Sequence, residues 1–172
     1  MHEIDEAYDI INLHHPGGGN IYLYINTIGS TTELYGEFLT YQTLNEGNRE
    51  KTPSGTFSIT PYVDFDTLLT VDQKNELISK FEGLAMLDLD PGRLTAILVS
   101  QEEIKDKKSK SEEFGISHIS FPIVQKGIGG IEYAILSDNV ASSSGFSLGG
   151  SMHVYRKVEK EWEYFCIVSL WL

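Results

Sequence analysis

The sequence predicts an α+β fold in which N-terminal helices pack on a curved antiparallel sheet that ends in a four-strand meander. Three observations carry this. Residues 116–172 read as short strands joined by glycine-rich turns. Helical periodicity and capping signatures lie upstream of that stretch. The chain closes on Trp162-Glu163-Tyr164-Phe165-Cys166-Ile167-Val168-Ser169-Leu170-Trp171-Leu172. A terminus is normally the loosest part of a domain, so an aromatic and β-branched ending marks a buried strand. At 172 residues a single domain over 1–172 is expected.

Taken in order, residues 3–13 place Ile4, Ala7, Tyr8 and Ile11 on one helical stripe, with acids near the N-terminus where the helix dipole favours them. His14-His15-Pro16-Gly17-Gly18-Gly19 ends that helix, because proline drives His15 to an extended backbone and the glycines open a loop. Ile21–Ile25 reads as a strand. Residues 33–44 fit helix or strand, with Leu34, Phe38 and Tyr41 at helical spacing and Gly36 against it. Asn45 to Gly55 is a polar loop, and Phe57–Ile59 a short strand. Thr70-Val71-Asp72-Gln73 has capping-box spacing and opens a helix over 71–82, stopped by Gly83.

Asp90-Pro91-Gly92 is a turn, and Leu94–Val99 a strand. Ser100-Gln101-Glu102-Glu103 repeats the capping-box pattern. Residues 105–115 form a charged loop before the meander. The meander's strands are Ile116–Gln125, with Pro122 marking an edge or bulge, then Ile131–Ser137, Met152–Val158 and the terminal run. Gly127–Gly130 connects the first pair, and Asp138–Ser151 reads as a long Ser/Gly loop. In the last strand both alternating sets are apolar, which predicts cover on both faces. A cone-shaped sheet with a helix in its concavity, as in cystatin-like or nuclear-transport-factor-like folds, fits this order by analogy.

Charge narrows the partners. The net charge is −12, and residues 1–100 hold 15 acids against five bases. No basic face exists for a phosphate backbone or an anionic membrane, so nucleic-acid binding is disfavoured. No apolar run reaches the roughly 18 residues of a membrane span, so no membrane insertion is expected. The acidic start lacks the pattern of a signal peptide, which predicts a cytoplasmic protein as the chain stands; a leader cleaved upstream would place it in the envelope or outside. An unknown protein or small-molecule partner is expected, with a homodimer as one way to cover the terminal strand.

The ending resembles a family of small bacterial proteins of uncharacterised function. The residues that carry the resemblance are Ser120-Phe121-Pro122-Ile123-Val124, Tyr133-Ala134-Ile135-Leu136, Gly149-Gly150-Ser151-Met152, Tyr155-Arg156-Lys157, Glu161-Trp162-Glu163 and Leu170-Trp171-Leu172. Family members often carry cysteines in the Gly/Ser segment, whereas Ala141 to Gly150 has none. The resemblance implies an α+β domain and brings no activity with it.

Four groups of residues bear on chemistry. Gly145-Phe146-Ser147-Leu148-Gly149 satisfies the nucleophile-elbow pattern, which needs a sharp strand-to-helix turn beneath Ser147. A strand follows instead, so a glycine turn is the plainer reading. His14 and His15 are adjacent and next to flexible glycine, and with His2, Glu3 or Asp9 they offer an N/O set for zinc or nickel. The competing reading is imidazoles that favour a helix C-terminus. Asp64-Phe65-Asp66 and Asp88-Leu89-Asp90 look like pieces of calcium loops but continue to no further acids, so turn-forming acids explain them. His118 and His153 lie in the meander, where each can line a sheet face as an acid–base group if a carboxylate stands nearby.

Cys166, the single cysteine, reads as a small buried hydrophobe. No set of catalytic groups outweighs its plainer reading. The expectation is therefore a non-catalytic binding or interaction domain without a cofactor. The alternative is a small hydrolase or lyase with a histidine-containing pocket in the concave sheet face. A histidine within hydrogen-bond reach of a carboxylate, in a pocket, favours the latter.

Overall fold

The computed structural model describes residues 2–33, 35–47 and 62–171. Leu34 and the strand expected at Phe57–Ile59 lie outside them. The first helix, α1, spans His2–His14, and the backbone N–H of His15 still donates to Ile11 at 2.8 Å. The ambiguous stretch resolves into a 3-10 turn over Gly36–Phe38 and a short helix α2, Tyr41–Glu46, capped by Thr40. Helix α3 spans Val71–Glu82 behind a complete Thr70/Gln73 capping box. Helix α4 spans Gln101–Ser109 behind an equivalent Ser100/Glu103 box. The expected charged loop over 105–115 is thus helical as far as Ser109. The capping box nucleates the helix, and Ile104 anchors it to Val99, Phe114 and Ile116.

Among the described residues seven strands form one mixed sheet. They are β1 Ile21–Tyr24, β2 Leu98–Val99, β3 Gly115–Ile119, β4 Ile123–Lys126, β5 Glu132–Ser142, β6 Ser147–Val158 and β7 Glu161–Trp171. Their order is β2-β1-β3-β5-β6-β7, with β4 also paired to β5. Strand β1 runs parallel to both β2 and β3, and the rest of the pairing is antiparallel. The sheet is therefore mixed, where the sequence predicts an antiparallel one, and the C-terminal meander is present. The single expected strand over 116–125 breaks at Ser120-Phe121-Pro122, because proline lacks the ladder donor. Its two halves then pair with successive parts of β5.

The largest departure concerns Asp138–Ser151. The segment expected to be a long loop is mostly strand: β5 continues to Ser142 and β6 begins at Ser147. Asp138 pairs Ser151, and Leu136 pairs His153. Asp, Asn and Gly are poor strand formers, but a strand with a partner on each side overrides such weak local preferences. Gly145, at φ 88°, makes the tight turn between the two strands.

Alternation along β5 and β6 builds a core on each face. Tyr133, Ile135, Met152 and Val154 face α2 and α3, with Leu44, Leu77 and Phe81 packed on them. Ala134, Leu136 and Tyr155 face α1, which contributes Tyr8, Ile10 and Ile11. Helices thus cover both faces, not a single concavity.

The terminal strand is covered unequally. Cys166 and Val168 are buried under the α2/α3 layer, while Tyr164 is exposed and Ile167 is half-buried. The expectation of cover on both sides therefore holds for one side. Among the described residues β7 is one edge of the sheet, and beyond the end of α1 its other face opens onto a recess.

Candidate functional site: a histidine cluster on Asp138

The site forms where α1 runs out over the sheet. Three elements fix the helix end. Asn12 donates its amide to the carbonyl of Arg93 at 2.9 Å and accepts from the N–H of Thr95 at 2.8 Å. The Thr95 hydroxyl donates to the carbonyl of His15 at 3.0 Å. Gly17 follows at φ 87°, so close to this segment that a Cβ there would lie 2.6 Å from the Thr95 carbonyl oxygen. Further back, Lys157 of β6 pairs with Glu6 at 2.7 Å and with Glu132 at 3.1 Å, tying α1 to the sheet.

This placement drops both imidazoles onto Asp138. His14 Nε2 lies 2.9 Å and His15 Nε2 3.4 Å from Asp138 Oδ2. The Ser117 hydroxyl donates to Asp138 Oδ1, and its oxygen stands 3.1 Å from His15 Nε2. On its far side, His14 Nδ1 is 2.7 Å from the Tyr155 hydroxyl. His153 packs its ring 4.3 Å from that of His14 and holds Ser151 Oγ at 3.0 Å from Nε2. Ser117, Asp138, Ser151, His153 and Tyr155 share one face because the register of β3, β5 and β6 aligns them.

Burial acts on these groups in opposing ways. It would raise the Asp138 carboxyl, but hydrogen bonds from His14, His15 and Ser117 outweigh it and hold the carboxyl well below its usual range. Burial, with like charge on His14 second, pushes His153 down to about 4. Burial also raises the Tyr155 phenol, helped by Tyr164 and the Asp138 charge. His153 is consequently neutral near pH 7, whereas Asp138 is a carboxylate there.

Beside the cluster lies a recess of about 360 Å³. Asp138, Ser151, His153 and Ser169 give it polar groups, and Val140, Leu148 and Ile167 give it an apolar wall. His14 and His15 meet the recess through their contacts to Asp138, and their side chains are 11% and 15% exposed against 8% for Asp138.

Of the residues singled out in the sequence, His14, His15 and His153 meet here. His118 does not. It faces the other side of the sheet, half-buried, against the ring of Tyr24 at 4.6 Å. Burial lowers it, and the Asp138 charge partly offsets this. Ser147 is exposed as the first residue of β6 in a hairpin, with no strand-to-helix elbow beneath it. Asp64 and Asp90 cap 3-10 turns, accepting from Asp66 N and Gly92 N, as turn-forming acids do. Asp138, Ser117 and Ser151 are the site residues that sequence reasoning missed. Asp138 and Ser151 lay in the segment read as loop. The run Ser137-Asp138-Asn139 breaks the polar–apolar alternation there, so no local signal marked the strand as continuing.

Fold and site together define an α+β protein with a mixed seven-stranded sheet and a histidine–carboxylate cluster opening onto a small recess. No family model, curated protein or solved structure matches the chain.

Proposed function

We propose that this chain is a binding domain whose small ligand enters the recess beside Asp138 and His153. The observation that carries this is that a carboxylate, two serines and an imidazole line one recess together with the apolar Val140, Leu148 and Ile167. Its volume falls within the roughly 300–1,000 Å³ of small-molecule sites.

A second reading, a hydrolase, draws on one observation: Ser151 Oγ stands 3.0 Å from His153 Nε2, and both line the recess. Two features weigh against it. A general base works best with a pKa near the operating pH, and His153 is pushed down to about 4. The Asp138 hydrogen bonds go to His14, His15 and Ser117, not to His153, so the base lacks the carboxylate that would orient it. The other nucleophiles fare no better. Ser117 is fully buried, and burial pushes the Cys166 thiol up to about 12.

Two measurements separate the readings. In amide NMR with a fragment library, binding should shift Asp138, Gly149–Ser151, His153 and Ile167 together; shifts concentrated elsewhere would remove the recess as the site. A fluorophosphonate probe should leave Ser151 unlabelled, and its labelling would establish the hydrolase instead.

A further inference from the structure

We propose that His14, His15 and Asp138 bind a divalent transition-metal ion of the zinc type, with the open coordination position directed toward the recess. The inference extends the binding reading by naming a ligand class for the same corner of the molecule.

The donor geometry suits such an ion. The two imidazole nitrogens and the carboxylate oxygen all lie within 4.8 Å of one another. Tetrahedral zinc with bonds of 2.0–2.1 Å holds its donors roughly 3.3 Å apart. His15 Nε2 already stands 3.4 Å from Asp138 Oδ2, and His14 Nε2 at 2.9 Å need move outward by only a few tenths of an ångström. Two imidazoles and one carboxylate with an open position is a ligand set that zinc and ferrous iron both accept.

The surroundings suit it as well. A metal-bound imidazole normally donates its other N–H to an oxygen, which fixes the ring. Here His14 Nδ1 lies 2.7 Å from the Tyr155 hydroxyl. The ligating carboxylate is normally hydrogen-bonded in turn, and Ser117 does this to Oδ1, leaving Oδ2 for the ion. Charge supplies a further reason. Among the described residues the ion-pair partners of Asp138 are imidazoles alone. A divalent cation would give this buried carboxylate a countercharge held by the same donors. The partly exposed imidazoles give the ion a way in.

The test uses the full chain, freed of metal by a chelator and titrated with zinc chloride in a calorimeter. One saturable equivalent is expected. His15→Ala and Asp138→Asn should each weaken binding on the order of 100-fold. Tyr155→Phe, which removes an outer partner, should weaken it roughly ten-fold. His118→Ala, on the opposite face, should leave it unchanged. Cobalt chloride should give visible absorption bands of a low-coordinate site in the unaltered protein and lose them in His15→Ala. Should Asp138→Asn fail to fold by circular dichroism, His15→Ala decides, since its ring is the most exposed of the three ligands. Absence of one-to-one binding to the unaltered chain overturns the proposal, as does binding indifferent to His15→Ala. Fragment shifts at the recess without zinc binding would remove the metal and leave the binding reading standing.

Discussion

The two faces of the sheet treat histidine differently. On the α2/α3 face, His118 sits against Tyr24 at 4.6 Å and Tyr35 at 6.3 Å, and burial lowers its pKa. On the α1 face, His14 and His15 reach Asp138 directly, and His153 packs against His14. Both settings take imidazole partly out of water. What separates them is a carboxylate: Asp138 points toward α1, and its neighbour Asn139, paired with His118 across the ladder, points away. A change of strand parity by one residue would exchange the two environments. Among the described residues, histidines meet the carboxylate on the α1 face, and the proposed binding site depends on that parity.

Substitutions test the contrast from its strongest term downward. Replacing Asp138 with alanine leaves His14, His15 and Ser117 without their shared acceptor. Leaving a buried donor without its acceptor typically costs about 1–3 kcal/mol for each group. His118→Ala removes packing alone and should cost roughly 1 kcal/mol. Urea unfolding of both variants checks the asymmetry, and equal losses would erase it.

Gly17→Ala comes next. A side chain at φ 87° is strained, and its Cβ would meet the Thr95 carbonyl at 2.6 Å. The expected cost is about 1–3 kcal/mol. His14 and His15 should also shift in NMR spectra while His118 stays in place.

Acid sharpens the comparison further. The His118 pKa is lowered from 6.5 in the fold. A group depressed on folding contributes stability that is present above its unfolded value and lost as pH falls toward its folded one. The unaltered protein should therefore lose stability below about pH 6.5, and His118→Gln should flatten part of that loss. A variant with the unaltered slope would contradict the assignment. The smallest expected effect is at Cys166, whose thiol burial pushes up to about 12. A maleimide should leave it untouched in the folded protein near neutral pH and label it once urea unfolds the chain.

Local signals in the sequence were sufficient for the starts of α1, α3 and α4, but not for α2 or for the length of α4. The stripe of α1 and the capping boxes at Thr70 and Ser100 place three helices within a residue of their observed starts. The adjacency of His14 and His15 was equally plain. Their partner was not, since Asp138 is 124 residues from His14 and lies in a strand made of weak strand formers. That strand forms because β3 and β6 flank it, and such pairing is a property of the assembled sheet. The break at Pro122 was legible as an irregularity, but not as two strands sharing one edge of β5.

Everything proposed for this molecule requires that the end of α1 and the middle of β5 interact energetically. A double-mutant cycle on His14→Ala and Asp138→Asn measures this directly. Contacting residues in one network couple by about 0.5–3 kcal/mol, and the account predicts a value of at least about 1 kcal/mol. Additivity to within about 0.3 kcal/mol would mean that the two side chains do not meet in solution, and the site would not exist.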